Sequence, residues 1–374
     1  MARNLDHDML VPPTAEEAAR QRFVLAFKQH LGRHLRPRNR TIYEAGAKPR
    51  FEARHGRAPE SFEEVAQSLY GEPLYQTWCS LNRTAQEMMW DAVSAPIDRA
   101  GEQLSRRFRD HSHAPDRKGS LRLNPELELP DGLARVHVHL QPDGYLADAG
   151  EDDVRAGALY EAGGALYSQG QSIGTMESKA DCVIRFLADR YPGLEPTRIL
   201  DMACSAGSST VPYALAFPEA EVHGVDVAPA MLRYAHARAE ALGVAVHFHQ
   251  MSVAGTDFDD ASFDLVISHN GMHEMSRQTQ RAMMAESFRL LRPGGVCVHQ
   301  DVPLRFEELD TFMQVERSWD KWFNGELFWE DYAANDCAEM LTAAGFEPAS
   351  IFTGYIDQKD STMKWYAAAA AKPA

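Results

Sequence analysis

Between residues 198 and 301 the chain alternates short apolar runs with amphipathic stretches. The runs 198–202, 221–227, 245–250, 263–268 and 295–301 read as strands. The stretches 208–216, 228–242 and 277–291 read as helices between them. This alternation predicts a parallel sheet covered by helices on both faces, with a ligand outside the carboxyl ends of the strands. Upstream the period is helical. Thr14 to Leu35 carries acids early and basic residues late, and Ser61-Phe-Glu-Glu64 reads as a capping box. Leu74 to about His111 continues the pattern, with Pro96 marking a kink or break. The period then shortens. Leu121-Arg-Leu123, Glu126-Leu-Glu-Leu129 and Val136-His-Val-His-Leu140 alternate, and Pro130-Asp-Gly132 and Pro142-Asp-Gly144 are turn signals, predicting a small β-hairpin. Residues 349–355 and 362–370 read as two closing strands, their alanines at a strand edge or frayed end. The division predicted is a mainly helical accessory domain with the hairpin, 1–150, and an α/β domain, 151–374.

Residues 157–178 join the two parts. Tyr160, Gly163, Gly164, Tyr167, Gly170 and Gly174 predict either a mobile segment whose tyrosines clamp a ligand or an ordinary linker. A helix from Glu177 to Arg190 follows.

Composition narrows the function. With 374 residues, 44% hydrophobic and 25% charged, the chain is an ordinary globular sequence long enough for two domains. Its net charge of −16 is uneven: residues 1–120 hold 19 Lys/Arg against 16 Asp/Glu, the remainder 19 against 38. An acidic C-terminal part argues against nucleic acid as a partner. No apolar leader follows Met1, and no run of about 18 apolar residues offers a membrane span. Cys79, Cys182, Cys204, Cys297 and Cys337 are odd in number and lack C-x-x-C pairing, as free thiols of a cytoplasmic protein would be.

The chemistry concentrates at Arg198-Ile-Leu-Asp-Met-Ala-Cys-Ser-Ala-Gly-Ser-Ser-Thr210, where an apolar strand ends in a loop of tiny residues. Asp226 closes the next strand 25 positions beyond Asp201, placed to accept hydrogen bonds from two ribose hydroxyls. A dinucleotide site would want G-x-G-x-x-G; the loop instead shows Ala203, Ser205 and Gly207. A nicotinamide-dependent oxidoreductase fits less well for that reason. The loop, Ser262-Phe-Asp-Leu-Val-Ile-Ser-His269 and Leu290-Leu-Arg-Pro-Gly-Gly-Val296 together resemble the class I S-adenosylmethionine-dependent methyltransferases. The resemblance covers roughly residues 176–370 and lies nearest the ubiquinone and menaquinone biosynthesis type. It implies a Rossmann-like α/β core with a seven-stranded, mostly parallel sheet whose last pair is antiparallel. The accessory part would then serve dimerisation or substrate covering.

The resemblance further implies S-adenosyl-L-methionine as cofactor. Asp201 would lie near its methionine part, with Ala203, Ser205 and Gly207 admitting the sulfonium and carboxylate. Asp226 would take the ribose, Val227 the adenine, and Met251 and Ser252 would stand where an adenine-binding acid is usual; His269 completes the cofactor set. After the fourth core strand, His273 and Glu274 occupy the place of a His-Asp pair in one branch of O-methyltransferases. Imidazole is suited to take a hydroxyl proton near neutral pH. The reading is therefore methyl transfer to a small-molecule acceptor, at oxygen, with His273 as general base and Glu274 orienting it. Carbon, nitrogen or sulfur acceptors stay open, as does a silent cofactor-binding regulator. Tyr167, His299, Asp301 and Trp322 are candidate acceptor contacts, the last from an aromatic segment, Phe306 to Tyr332, broken by Asn324-Gly-Glu326. His269 and His273 are spaced H-x-x-x-H, but Asn270-Gly271 between them reads as a turn, and no metal is predicted.

Overall fold

The computed structural model describes residues 6–129, 132–133, 136–168, 179–359 and 362–374. Eight strands form one sheet: β1 (Ser120–Arg122), β2 (Arg198–Met202), β3 (Glu221–Asp226), β4 (His247–Gln250), β5 (Phe263–His269), β6 (Leu291–Asp301), β7 (Phe352–Asp357) and β8 (Lys364–Ala371). Their spatial order is β1-β4-β3-β2-β5-β6-β8-β7. All neighbours run parallel except β6 with β8 and β8 with β7, the antiparallel pair expected at the end. Strand order reverses at β2, which pairs with β3 on one side and β5 on the other. The crevice above the ends of these three strands is where such a sheet binds a ligand. Ile199, Leu200 and Met202 are fully buried, as a central parallel strand covered on both faces requires.

Two expectations about strands are corrected. The sheet has eight strands, not seven, because Ser120–Arg122 adds to the edge beside β4 in parallel register, Ser120 opposite His247. The hairpin expected over 121–140 does not form among the described residues, and Val138–Leu140 is a tight turn with His139 and Leu140 in left-handed backbone. The exposed edge of β4 offers unpaired peptide groups, and a short strand delivered to it satisfies them without a hairpin partner. The closing alanines are not an edge either. Ala367 to Ala370 are fully buried inside the sheet, between β6 and β7.

The helical part does not stand apart from the core. Met89, Trp90 and Val93 share one apolar cluster with Leu159, Ala206, Met231 and Tyr234, so residues on both sides of position 150 are buried together. Pro96 does not break its helix, which runs over Pro73–Arg99. A proline cannot donate to the carbonyl four residues back. Here that carbonyl, of Ala92, accepts instead from Gln21 Nε2 at 3.1 Å.

The segment after residue 154 is a helix, Arg155–Tyr167, rather than a loose linker. Its glycines serve close packing. A Cβ at Gly157 would overlap the Tyr234 side chain, and one at Gly163 would stand 2.8 Å from the Trp90 ring. Gly170, Gly174 and Glu177 lie outside the described residues; the next helix is Lys179–Arg190. Much of the aromatic segment is core: Phe312, Val315 and Trp319 pack with Tyr43, Leu69, Tyr75 and Trp78. Among the described residues no helix is long and apolar enough to cross a membrane.

Candidate active site

The loop after β2 owes its shape to its small residues. Ala203, Ser205 and Gly207 all take left-handed backbone angles, with φ of 58°, 51° and 71°. Alternating left- and right-handed residues turn neighbouring peptide N–H groups towards one side, a cradle for an anionic or polar ligand group. At Gly207 a Cβ would come 3.1 Å from both the Ala235 methyl and the Phe248 ring. Asp226 holds the loop in place: its Oδ2 accepts from the Ser205 N–H at 2.9 Å and its Oδ1 from the Ala228 N–H at 3.0 Å. Burial nevertheless pushes its carboxyl above the ordinary range, against those donors. Nearby, Gln250 Nε2 donates to the Val227 carbonyl at 3.1 Å, and the Met251 N–H to the Asp226 carbonyl at 3.1 Å. Ser252 Oγ accepts from the Ala254 N–H at 3.2 Å.

Asp201 is 1% exposed and accepts from Thr210 Oγ1 at 2.6 Å, while its other oxygen has no donor. Burial raises its carboxyl from 3.8 to about 7, the Thr210 bond opposing the rise. Since the folded value is raised, wild-type stability is greatest below the unfolded value and declines as pH climbs through about 7. Asp201→Asn keeps an acceptor for Thr210 and removes the buried charge. It is expected to melt above the parent at about pH 8 and to lose that advantage near pH 4. Differential scanning fluorimetry of the ligand-free chain checks this; an advantage independent of pH refutes it.

Beyond β5 the chain turns at Asn270, with φ of 52°, and at Gly271, where a Cβ would sit 3.0 Å from the Ala203 methyl. That close approach sets the turn Met272–Glu274 beside the loop after β2. His273 is 3% exposed. Its Nδ1 lies 2.6 Å from Asp301 Oδ1, and Asp301 Oδ2 also accepts the N–H of Met272 at 2.8 Å. Asp301, at the end of β6, therefore orients the ring, and not Glu274. Consecutive side chains on a tight turn diverge, whereas the adjacent strand end points at the imidazole. The other nitrogen, Nε2, is left facing Glu274 Oε1 at 3.4 Å and Glu326 Oε2 at 4.0 Å. Burial opposes a charge on this ring, but Asp301 and Glu274 outweigh it and hold the ring protonated well above its ordinary value.

Two further residues that the sequence did not single out complete the cluster. His139 Nε2 is 2.9 Å from Glu274 Oε1, and its Nδ1 contacts both Glu326 and, at 2.7 Å, the Tyr167 hydroxyl. Burial disfavours charge on His139, yet Glu326 and Glu274 raise it to about 10. Burial also raises Glu326, to about 7, with Glu274 adding to the rise and His139 opposing it. Burial would raise Glu274 too, but His139 and His273 bring it down to about 2. Tyr167 thus joins this cluster, its hydroxyl also accepting from Asn324 Nδ2 at 3.0 Å. Tyr160 lies against Ser205 and within electrostatic reach of Glu274 and Asp226, linking the cluster to the small-residue loop. Of the aromatic segment, Trp329 and Tyr332 reach His273, with ring centroids 5.6 and 6.1 Å away.

Three expected contacts are corrected. Trp322 is 60% exposed, with Lys321 over its ring, because Trp319 and Phe323 take the inner face of that short helix. The ring of His299 is enclosed between Ser268 Oγ at 2.9 Å and Ser287 Oγ at 3.1 Å, so neither nitrogen is free for an acceptor. His269 is likewise committed, to Gln300 Oε1 and the Tyr213 hydroxyl, each at 2.9 Å. Burial lowers both rings to about 4, which keeps them neutral. They are polar parts of the packed sheet rather than ligand groups.

Residues 199–295 match a family described as a methyltransferase domain. Demethylmenaquinone methyltransferase of Thermus thermophilus is 35% identical over 108 residues, which are 29% of this chain and 48% of that protein. The chain thus spans about half the length of that relative. Malonyl-[acyl-carrier protein] O-methyltransferase of Hahella chejuensis is 25% identical over 252 residues, 67% of this chain and 79% of that one. Among solved structures, phosphoethanolamine N-methyltransferase 2 of Haemonchus contortus with S-adenosyl-L-methionine is 17% identical, covering 51% of this chain and 52% of its own, with a TM-score of 0.39. The matched segment runs from β2 into β6 of a sheet reversed at β2, so residues 199–295 carry a methyltransferase domain.

Proposed function

We propose that this chain transfers the methyl group of S-adenosyl-L-methionine to an oxygen of a small-molecule acceptor, with His273 taking up the hydroxyl proton. The observation that carries the reading is the pairing of His273 with Asp301 beside the small-residue loop, which leaves Nε2 turned into the site. The acceptor oxygen attacks the methyl carbon, the carbon–sulfur bond breaks with its electron pair passing to sulfur, and S-adenosylhomocysteine leaves. The O–H proton goes to Nε2. The sulfonium is already activated, so the protein's work is alignment, exclusion of water and removal of that proton. Carboxylates around the ring hold it charged, so it accepts a proton only where their charge is offset. Asp226 would hold the ribose hydroxyls, and Ala203, Ser205 and Gly207 would admit the methionine part to bare backbone. Tyr167, Trp329 and Tyr332 would flank the acceptor.

Calorimetry with S-adenosylhomocysteine tests the cofactor half. Asp226→Ala is expected to weaken binding about 10–100-fold, since hydrogen bonds to a charged acceptor are worth about 1.5–3 kcal/mol. No heat from the folded parent chain would remove the reading. Release of labelled methyl onto a panel of phenols, carboxylic acids, amines and thiols tests the acceptor half. Transfer confined to amines or thiols would overturn the oxygen assignment.

A further inference from the structure

We infer that His139, His273, Glu274 and Glu326 together hold a divalent first-row transition cation at the reaction centre. One donor atom from each of the four lies within 4.8 Å of the others. Donors bound at about 2.0–2.2 Å stand at most about 4.4 Å apart, so the cluster closes on an ion with side-chain movements of a few tenths of an ångström.

Three observations point to a ligand rather than to a set of ion pairs. The Glu326 side chain is 1% exposed, and apart from the His139 contact its oxygens meet no hydrogen-bond donor. Buried ion pairs hold together when further hydrogen bonds satisfy the remaining lone pairs, and here none do. His273 is arranged as a ligating histidine is, with Nδ1 tied to a buried carboxylate and Nε2 presented to the cluster. His139 is held in a left-handed conformation, φ 54°, that a non-glycine residue adopts at a cost. Its carbonyl is clamped by Trp90 Nε1 at 2.6 Å and Gln86 Nε2 at 2.9 Å, which fixes the ring over the two glutamates.

Two imidazoles with two carboxylates suit zinc, manganese or iron in the divalent state; magnesium and calcium prefer oxygen donors throughout. The cation offsets the charge of the two carboxylates, Glu274 and Glu326. With it in place Nε2 of His273 is a ligand rather than the base, and a hydroxyl bound to the ion passes its acidified proton to the non-ligating oxygen of Glu274. That consequence rests on the methyl-transfer reading above; the binding of the ion does not.

The test is equilibrium dialysis of the full chain, stripped with chelator, against Zn²⁺, with Co²⁺ as a spectroscopic probe. One Zn²⁺ per chain is expected, together with visible Co²⁺ bands of nitrogen and oxygen coordination. Glu326→Gln and His139→Gln should each lower the apparent affinity at least about tenfold. Near-ultraviolet circular dichroism and the heat of S-adenosylhomocysteine binding report whether each variant is folded. If one variant fails to fold, the other and the Co²⁺ spectrum of the parent decide. Parent chain that takes up no Zn²⁺, or uptake equal in parent and folded variants, overturns the inference. Lost uptake with the heat retained leaves the methyl-transfer reading standing; retained uptake without the heat does the reverse.

Discussion

Replacing His273 by alanine is expected to cut methyl transfer by about 10²–10⁴-fold while leaving the affinity for S-adenosylhomocysteine unchanged. The split follows from position. The ring stands on the turn Met272–Glu274, beside the loop after β2 but not part of it. Its bonds run to Asp301 and towards Glu274 and Glu326, away from Asp201 and Asp226. Truncation therefore removes whatever handles the acceptor oxygen, as base or as cation ligand, and spares the groups that grip the cofactor. The measurement is labelled methyl transfer to the acceptor found by the panel, read beside calorimetry. Turnover equal to the parent's would exclude His273 from the reaction. Loss of both turnover and cofactor heat would instead mean that the turn supports the loop, a structural role.

A second large effect is expected at Gly325. Its φ is 75°, and a Cβ there would overlap the carbonyl oxygen of His137, a backbone atom that has nowhere to move. Gly325→Ala thus combines a left-handed alanine, about 1–2 kcal/mol, with overpacking of about 1–3 kcal/mol, for a loss of roughly 2–5 kcal/mol. The same clash pushes Glu326 away from His139, so the variant should lose the cluster as well as stability. Denaturant unfolding gives the first effect and Zn²⁺ uptake the second. A parent-like midpoint would show that the approach of residues 137 and 325 does not constrain this region.

The parts of the molecule made by local pattern were legible in the sequence. The strand Arg198–Met202 forms where a short apolar run ends in Asp201, and Ser61 with Glu64 does form a capping box. Ala203, Ser205 and Gly207 were singled out as small, and all three prove to need left-handed backbone. Asp226 was placed by its distance from the loop, and it does face the loop. Where a rule named one partner and the fold supplied another, the reading failed. The sequence marks a kink or break at Pro96 because the carbonyl it orphans has no partner nearby in sequence; Gln21 supplies one from another helix. Glu274 was taken as orienter because it is adjacent to His273, yet Asp301 is nearer in space. Gly163 reads as part of a mobile or linking segment because nothing local shows the Trp90 ring that presses on it.

His139 and Glu326 mark the limit most clearly. One sits in an alternating run that reads as a strand, the other in what looks like a gap between aromatic residues. Neither carries a spacing signal, because ligand spacing is a property of one helix or loop, and these residues arrive from separate segments. Periodicity and loop chemistry, which act over a few residues, determined the α/β core and the small-residue loop after β2. The composition of the His139, His273, Glu274 and Glu326 cluster was decided only by tertiary packing. A buried carboxylate and a strained histidine can be held together only when distant segments are pressed against one another, and no short stretch of chain records that pressure.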